Sequence, residues 1–390
     1  MNRDVAVIGG GVAGLATALA LSRAERNCSV FESTAGESCA GMGFLLMENG
    51  LTALARLGLA DAVHALGTVA DEAVVFDRFG RELLRRSFQP HLGMERAALV
   101  DLLERTVGPR IINYGQTFER LRYEESAQLR SDREDDRGQA RADAALFDDG
   151  STFEADLFIG ADGRRSRVRE CVCPGHSTGN AVVAELISSL DAPELAAELG
   201  TTLLRFRDPD CALGVSMMPT GRGRVVWYIT HDREAWDVTD DLAGRRYIAA
   251  LVADWPHPIP TLLESTDFAT SYIWRTADMD PLPYSTRGNV ALVGDAAHPL
   301  LPFSTQGVNS ALVDAVTLAD ALDDLADGRD SARALSAWST RRRHVTSAYL
   351  EYGRERARVF LDPELRGHDP PFPESVGRRD LQDLAPRACR

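Results

Sequence analysis

Val5-Ala6-Val7-Ile8-Gly9-Gly10-Gly11-Val12-Ala13-Gly14 joins an apolar run without polar alternation to the spacing G-x-G-x-x-G, set by Gly9, Gly11 and Gly14. Such a run fits a parallel strand covered on both faces. The glycines permit a tight turn and close backbone approach to a pyrophosphate, and the apolar-periodic run Leu15 to Leu21 supplies a helix. The N-terminus of that helix supplies N–H donors and a positive dipole end to an anion. Ser29-Val30-Phe31-Glu32 reads as a second strand, with Glu32 near the spacing, about 20 residues, at which an acid accepts ribose hydroxyls. Strand, glycines, helix, strand and acid arrive in order, so the segment predicts a dinucleotide site in an α/β domain. A carboxylate at the ribose disfavours a 2′-phosphate, leaving FAD or NAD rather than NADP.

A second segment lies almost a whole chain away. Asn289-Val290-Ala291-Leu292-Val293 predicts a strand ending at Gly294-Asp295, and Ala296-Ala297-His298, Pro302, Gly307 and Asn309 follow. Helical spacing then runs through Leu312, Val316 and Leu322. Asp295 at the strand's end can accept hydrogen bonds from a polyol. A helix starting near Asn309 would aim its positive end at a ring in front of it. A reduced flavin carries negative charge at its pyrimidine edge, so the two segments together point to one FAD held at both ends. His298 reads as a structural residue of this turn, and no side chain is singled out as catalytic.

Between these segments, Gly41-Met42-Gly43-Phe44 and Asn49-Gly50 are either loop punctuation or places where backbone approaches a flat ring. Glu95 to Leu103 predicts a helix with Arg96 in its first turn, beside a phosphate or simply solvated. Tyr123 to Arg141, rich in both charge signs, predicts an exposed hairpin loop or a locally disordered insert. Ala155 to Gly163 predicts a strand ending in Asp162-Gly163, and Arg164, Arg165, Arg167 and Arg169 after it imply an anion site or salt bridges. Thr202–Phe206, Leu213–Met218 and Arg224–Thr230 predict an antiparallel or mixed sheet, a natural wall for a substrate. There Trp227, Ile229 and His231 share one face and Tyr228 and Thr230 the other, with the inward face left open. Ala332 to Leu361 predicts a long helix with Arg341, Arg342 and Arg343 on its surface, and Pro363, Pro370, Pro371 and Pro373 then break regular structure.

The composition narrows the function. A net charge of −15 over 390 residues argues against nucleic acid or an anionic membrane as partner. All 43 basic residues are arginine, which removes lysine Schiff-base and Walker-type phosphate chemistry. The six cysteines form no Cys-x-x-Cys pair, and they read as reduced thiols rather than metal ligands. With no signal peptide or membrane span visible, the expected location is cytoplasmic.

Gly9 to Gly14 with Glu32, Arg96, the Gly-Ala-Asp-Gly run ending at Gly163, and Gly294 to Asn309 together resemble the single-component FAD-dependent aromatic monooxygenases. That group contains para-hydroxybenzoate hydroxylase, salicylate hydroxylase and kynurenine 3-monooxygenase. Pro302 to Ala315 is most similar to the tetracycline-inactivating flavin monooxygenases, and Trp255-Pro256-His257-Pro258 with Asp280-Pro281 is similar to the salicylate hydroxylase side. The resemblance implies a glutathione-reductase-type Rossmann-like FAD-binding domain formed by 1–75, 90–179 and 276–330. It also implies an inserted mixed β-sheet substrate domain (76–89 and 180–275), a C-terminal helix (331–362) and a loose tail (363–390). Gly9, Gly11, Val12, Ala13 and Gly14 would meet the pyrophosphate, Glu32 the ribose, and Arg96 the phosphates. Asp162 would serve both FAD and the nicotinamide donor, Gly294 and Asp295 the ribityl chain, and Gly307, Val308 and Asn309 the flavin ring.

The implied reaction uses NADPH or NADH as a transient reductant and dioxygen, hydroxylating an aromatic or polyketide-like small molecule through a flavin C4a-hydroperoxide. Other FAD chemistry remains open: Baeyer–Villiger oxygenation, epoxidation, dehydrogenation, or halogenation, which the lack of a Trp-x-Trp-x-Ile signature weakens. A non-catalytic flavin-binding module is the third reading. Two departures stand out. Thr305-Gln306-Gly307 lacks the first glycine of the usual Gly-Gln-Gly, and no arginine lies between Glu37 and Ala55 to meet the nicotinamide donor.

Overall fold

The computed structural model describes residues 4–34, 43–123, 141–179, 182–323, 331–365 and 380–384. A six-stranded sheet runs in the order Thr286–Arg287, Val290–Leu292, Leu157–Gly160, Val5–Ile8, Cys28–Glu32, Ile112–Tyr114. Its pairs are parallel except the first. Val5 and Val7 pack with the helices Val12–Arg23 and Gly307–Asp323, whereas Ala6 and Ile8 join a cluster holding Phe31, Phe147 and Phe158. Both faces are therefore covered, which is why this strand is apolar without alternation. Burying each large aliphatic side chain contributes about 1.5–3 kcal/mol. The second face is closed by an antiparallel three-stranded sheet, Phe118–Tyr123, Ala142–Phe147 and Thr152–Glu154.

Val5–Ile8 has Cys28–Glu32 on one side and Leu157–Gly160 on the other. The chain thus leaves this strand in two directions, and the crevice where they part is where open α/β sheets bind ligands.

An eight-stranded sheet runs in the order Tyr272–Arg275, Val183–Asp191, Arg224–Asp232, Leu213–Gly221, Thr202–Arg207, Thr68–Asp77, Glu82–Glu95, Gly43–Leu46. It is antiparallel except where Thr202–Arg207 meets Thr68–Asp77, so it is mixed. The borders expected at 75/76 and 89/90 fall inside two of its strands. One long hairpin carries the chain through this sheet, and its ladder shifts register between Ala70 and Glu72 and between Val75 and Phe76 without ending there. Gly43–Leu46, expected with the first domain, adds its edge strand.

Trp227 and Ile229 pack with Ile248, Ile259 and Leu262, which belong to the helices Leu242–Ala250 and Ile259–Glu264. Tyr228 and Thr230 therefore occupy the opposite, inner face. Ser216 lies opposite Tyr228, and Arg205 opposite Ser216, on that same face. Gly214 faces Thr230 in the ladder, and a Cβ added to it would lie 3.7 Å from the Phe360 ring. The inner face is thus turned toward the end of the helix Ser331–Leu361.

Two expectations for the C-terminal region fail. Arg341 and Arg343 are exposed, but Arg342 is 3% exposed. Residues 380–384 are helical, with Asp380 and Leu384 buried, so the region after 363 is not loose throughout. The reason is charge matching. Arg342 donates from Nη1 to Asp380, from Nε to Asp314 Oδ1 at 2.7 Å and from Nη2 to Ser310 Oγ at 2.9 Å. Asp380 also accepts from Asn49 Nδ2 at 2.9 Å and the Tyr349 hydroxyl at 2.5 Å. Burial disfavours the Arg342 charge, but the two carboxylates outweigh it and move its pKa upward. The segment expected to be a loop or insert, Tyr123 to Arg141, lies outside the described residues apart from its two ends, as does Gly41-Met42. No described helix is long and apolar enough to cross a membrane.

Removing one partner of a buried ion pair costs about 3–5 kcal/mol. Asp380→Ala should therefore lower the unfolding free energy by about that amount in urea titrations. A loss below about 1 kcal/mol would show that the docking of 380–384 is incidental.

Candidate functional site

Gly9 has φ +109°, and a Cβ on it would lie 2.3 Å from the Ala161 carbonyl oxygen. A Cβ on Gly14 would lie 1.9 Å from the Gly9 carbonyl oxygen. Neither position admits a side chain, so the turn is drawn tight against the end of Leu157–Gly160. Gly11 caps the helix Val12–Arg23 without a side-chain acceptor. Leu15 N to Gly11 O, 2.9 Å, is the first intrahelical bond, which leaves the N–H groups of Val12, Ala13 and Gly14 for an anion.

Glu32 is held at this turn. Its Oε2 accepts the Gly10 N–H at 2.7 Å, and Oε1 accepts from Thr34 N at 2.9 Å, Thr34 Oγ1 at 2.8 Å and Ser33 Oγ at 3.2 Å. Partial burial pushes the carboxyl up, but these donors outweigh it and hold it below the usual range. Arg96 heads the helix Arg96–Val107, and its Nη2 lies 3.7 Å from where a Gly11 Cβ would be. The same guanidinium acts on Asp295. One arginine therefore stands between the first glycine turn and the last.

Asp295 is exposed, yet crowding by protein pushes its carboxyl up, against the pull of His298, Arg164, Arg96 and Arg169. Exposure combined with poor hydration places it on a cleft wall. Gly294, at φ +57°, is the seam: a Cβ on it would lie 2.8 Å from Ala13 Cβ and 3.3 Å from Ala311 Cβ. Its N–H donates to Asp314 Oδ2 at 2.8 Å, and His298 Nε2 lies 2.6 Å from the same oxygen. Burial raises the Asp314 carboxyl, but His298 and Arg342 more than reverse this and bring it to about 2. His298 thus has a structural partner. Its sequence signal was Asp314 itself, an acid inside the otherwise apolar run Ala311 to Val316.

The helix Gly307–Asp323 is fixed by Asn309. Its Oδ1 accepts Met47 N at 2.9 Å, and its Nδ2 donates to Leu45 O at 3.0 Å and Thr305 O at 2.7 Å. A Cβ on Gly50 would fall 2.1 Å from Asn309 Oδ1, so glycine is required there. Ser310 N to Gln306 O, 2.8 Å, begins the helical ladder, and the N–H groups of Gly307, Val308 and Asn309 precede it. Ser304, Gln306 and Asn309 are fully buried, yet a Cβ on Gly307 would meet nothing within 4 Å. A helix N-terminus opening onto space, inside a buried surround, fits the polar edge of a flat ring. Thr305 takes the left-handed φ of +56°, a conformation that costs a β-branched residue about 1–2 kcal/mol. The shape that the missing glycine would supply is retained under strain.

Two expectations change here. Asp162 accepts from Ser166 Oγ at 2.5 Å, Arg167 N at 2.7 Å and Val168 N at 3.1 Å, so its carboxylate caps the short helix Arg167–Val172. The anion site expected among the arginines is instead a set of bonds to carbonyls. Arg164 donates to Arg275 O at 2.7 Å, Arg167 to Phe118 O at 3.1 Å, and Arg169 to Ala296 O at 3.0 Å, His176 O at 3.1 Å and Arg164 O at 2.7 Å. Carbonyls that would otherwise be buried unpaired take up the guanidinium donors. Arg169 in particular ties the turn after Gly160 to the turn after Gly294.

A family model described as FAD binding domain matches residues 2–352. The chain is 30% identical to 3-hydroxybenzoate 6-hydroxylase of Klebsiella oxytoca over 368 residues, covering 91% of this chain and 88% of the relative. Among solved structures, Klebsiella pneumoniae HpxO complexed with FAD and uric acid superposes with TM-score 0.82 at 23% identity, over 98% of this chain and 96% of that one. The tetracycline destructase Tet(51) superposes with TM-score 0.72 at 21% identity, over 98% and 97%.

The cleft makes opposite predictions for two glycines. Gly307→Ala adds a methyl group to open space, so the melting temperature should hold while flavin affinity falls at least about tenfold, a loss of about 1.4 kcal/mol. Gly294→Ala drives a methyl group into Ala13, so both should fall. Flavin absorbance after gel filtration and thermal melts check the pair; equal flavin retention by Gly307→Ala and wild type would remove the ring from this helix. Asp314→Asn should destabilise by about 3–5 kcal/mol at neutral pH. Because the folded pKa is depressed from 3.8 to about 2, the wild-type advantage is present above the ordinary value and should shrink as pH falls between them.

Proposed function

The chain belongs to the FAD-binding domain family as an FAD-dependent oxidoreductase of the monooxygenase type, and from that premise we propose that it hydroxylates an aromatic or polyketide-like small molecule. The reductant in this reading is NADPH or NADH and the oxidant dioxygen. One observation carries it: Gly294 packs between Ala13 and Ala311, and the helix that holds Ala311 opens at Gly307 and is tied through Asn309 to Leu45 in the edge strand of the eight-stranded sheet.

FAD, when bound, supplies the activation of dioxygen, chemistry that no protein side chain performs. The chain's own residues bind and orient. Glu32 accepts the ribose hydroxyls, while Arg96 and the N–H groups of Val12, Ala13 and Gly14 hold the pyrophosphate. Asp295 accepts from the ribityl hydroxyls. Gly307, Val308 and Asn309 direct N–H groups at the ring's polar edge, where a fixed positive dipole stabilises negative charge. The inner sheet face around Tyr228 and the paired rings of Phe303 and Phe360, 5.6 Å apart, exclude water from the reacting carbon. Asp162 acts at one remove, by shaping the turn that borders the cleft. The proposed setting is the cytoplasm.

The test is the purified, FAD-loaded protein with NADPH or NADH and a panel of hydroxylated aromatic rings. Ring-stimulated consumption of reductant, with a product gaining one oxygen atom, is the expected result. Protein that stays colourless after incubation with FAD, or reductant consumption that no ring accelerates, would refute it.

A further inference from the structure

Glu185 is paired directly with Thr230 in the ladder between Val183–Asp191 and Arg224–Asp232, so it lies on the inner face with Tyr228. It is 5% exposed and accepts from Thr230 Oγ1 at 3.2 Å. The charged or titratable groups on this face around it are Arg205, whose charge reaches it, Tyr228, which lies close to Arg205 and Ser216, and, two residues along the neighbouring strands, Asp232 and Tyr272. Trp274 pairs with it from the other side, and its ring adds no titrating group.

The other buried carboxylates among the described residues are treated differently. Asp314 takes Gly294 N, His298 and Arg342, Asp380 takes Arg342, Asn49 and Tyr349, Asp77 takes the Phe79 and Arg81 N–H groups and the Arg81 guanidinium, and Asp208 takes the Asp210 and Cys211 N–H groups and pairs with Arg78. Those acids are fastened by sets of donors, as structural acids are. Glu185 has one neutral hydroxyl at the long end of hydrogen-bond range. Burial dominates and pushes its carboxyl up to about 7, with Thr230 and Arg205 opposing. A buried acid with so few donors, on the face reserved for substrate, has capacity for one more partner.

We propose that Glu185 is the proton acceptor for the substrate, and that the inner face selects an aromatic or heteroaromatic ring carrying an acidic O–H or N–H. This rests on the monooxygenase reading above. The ring donates its O–H or N–H to a Glu185 oxygen; that bond breaks, a carboxyl O–H forms, and the electron pair stays on the ring. Nothing is oxidised or reduced in the step, and the electron-rich ring is the better acceptor of oxygen. Arg205 faces the anion produced. An acceptor titrating near neutral pH combines availability with driving force for proton transfer.

The experiment uses FAD-loaded wild type, Glu185→Gln and Glu185→Asp, titrated with two matched probe pairs: 6-hydroxynicotinate against nicotinate, and 3-hydroxybenzoate against benzoate. Perturbation of the flavin absorbance spectrum reports the dissociation constant, measured from pH 5.5 to 8.5 at about half-unit steps around the neutral region where such a group titrates. For wild type at least one hydroxylated ring should bind at least about tenfold more tightly than its match, as a charge-assisted hydrogen bond implies. The preference should grow as pH rises through about 7, and Glu185→Gln should abolish both effects. Flavin content and thermal melts establish folding; if Glu185→Gln does not fold, Glu185→Asp, with the carboxylate withdrawn by one methylene, should show a preference at least about threefold weaker. Equal preference and pH dependence in the variant read, or no preference in wild type, overturns the proposal. Failure to retain FAD or to oxidise NAD(P)H would refute the monooxygenase reading instead, and is scored separately.

Discussion

The flavin cleft depends on the contact at Gly294. Its backbone N–H is anchored by Asp314, and the space where a side chain would project is filled by Ala13 and Ala311. Three segments far apart in sequence are thereby held at van der Waals distance: the first turn of Val12–Arg23, the strand end at Val290–Leu292, and the helix Gly307–Asp323. Asp314 can serve as anchor only because His298 and Arg342 keep it ionised in a buried setting, where an isolated carboxylate would take up a proton. The ion pair is better understood as fixing the geometry of the turn than as a net source of stability, since desolvation cancels much of its Coulombic gain.

Arginine performs the cross-linking throughout. Arg169 sends its guanidinium into the carbonyls of two different turns, and Arg342 spans two carboxylates and a serine. Both tasks need donors that diverge in a plane from one rigid group, which an ammonium cannot provide. In a chain without lysine, arginine also stands at the glycine turns, where Arg96 lies between Gly11 and Asp295.

What the sequence made legible was local. The strand Val5–Ile8, its glycine turn, Glu32, the helix start at Arg96 and the turn at Gly294 each carry a short-range pattern with a direct physical cause. What it hid was tertiary. Arg342 lies at a helix position that looks solvent-facing between two exposed arginines, and only the folded chain brings Asp314 and Asp380 to it. The alternation of Trp227 and Tyr228 defined two sheet faces, but which one turned inward was decided by helices Leu242–Ala250 and Ile259–Glu264 covering the first. Asp162 reads as a ligand from its motif, whereas its oxygens are already engaged by a helix that begins five residues later. Domain borders inside Thr68–Asp77 and Glu82–Glu95 were illegible for a related reason, since strand length follows from pairing partners.

Asp380 is the complement of a cation 38 residues earlier in the chain. During synthesis Arg342 leaves the ribosome after Asp314 but before Asp380, so its guanidinium can pair with the first carboxylate while one of its donors waits for the second. Completion of the core is thereby deferred until the distal segment has emerged. A chain interrupted between the two positions would leave that donor, the Asn49 amide and the Tyr349 hydroxyl short of one shared buried acceptor.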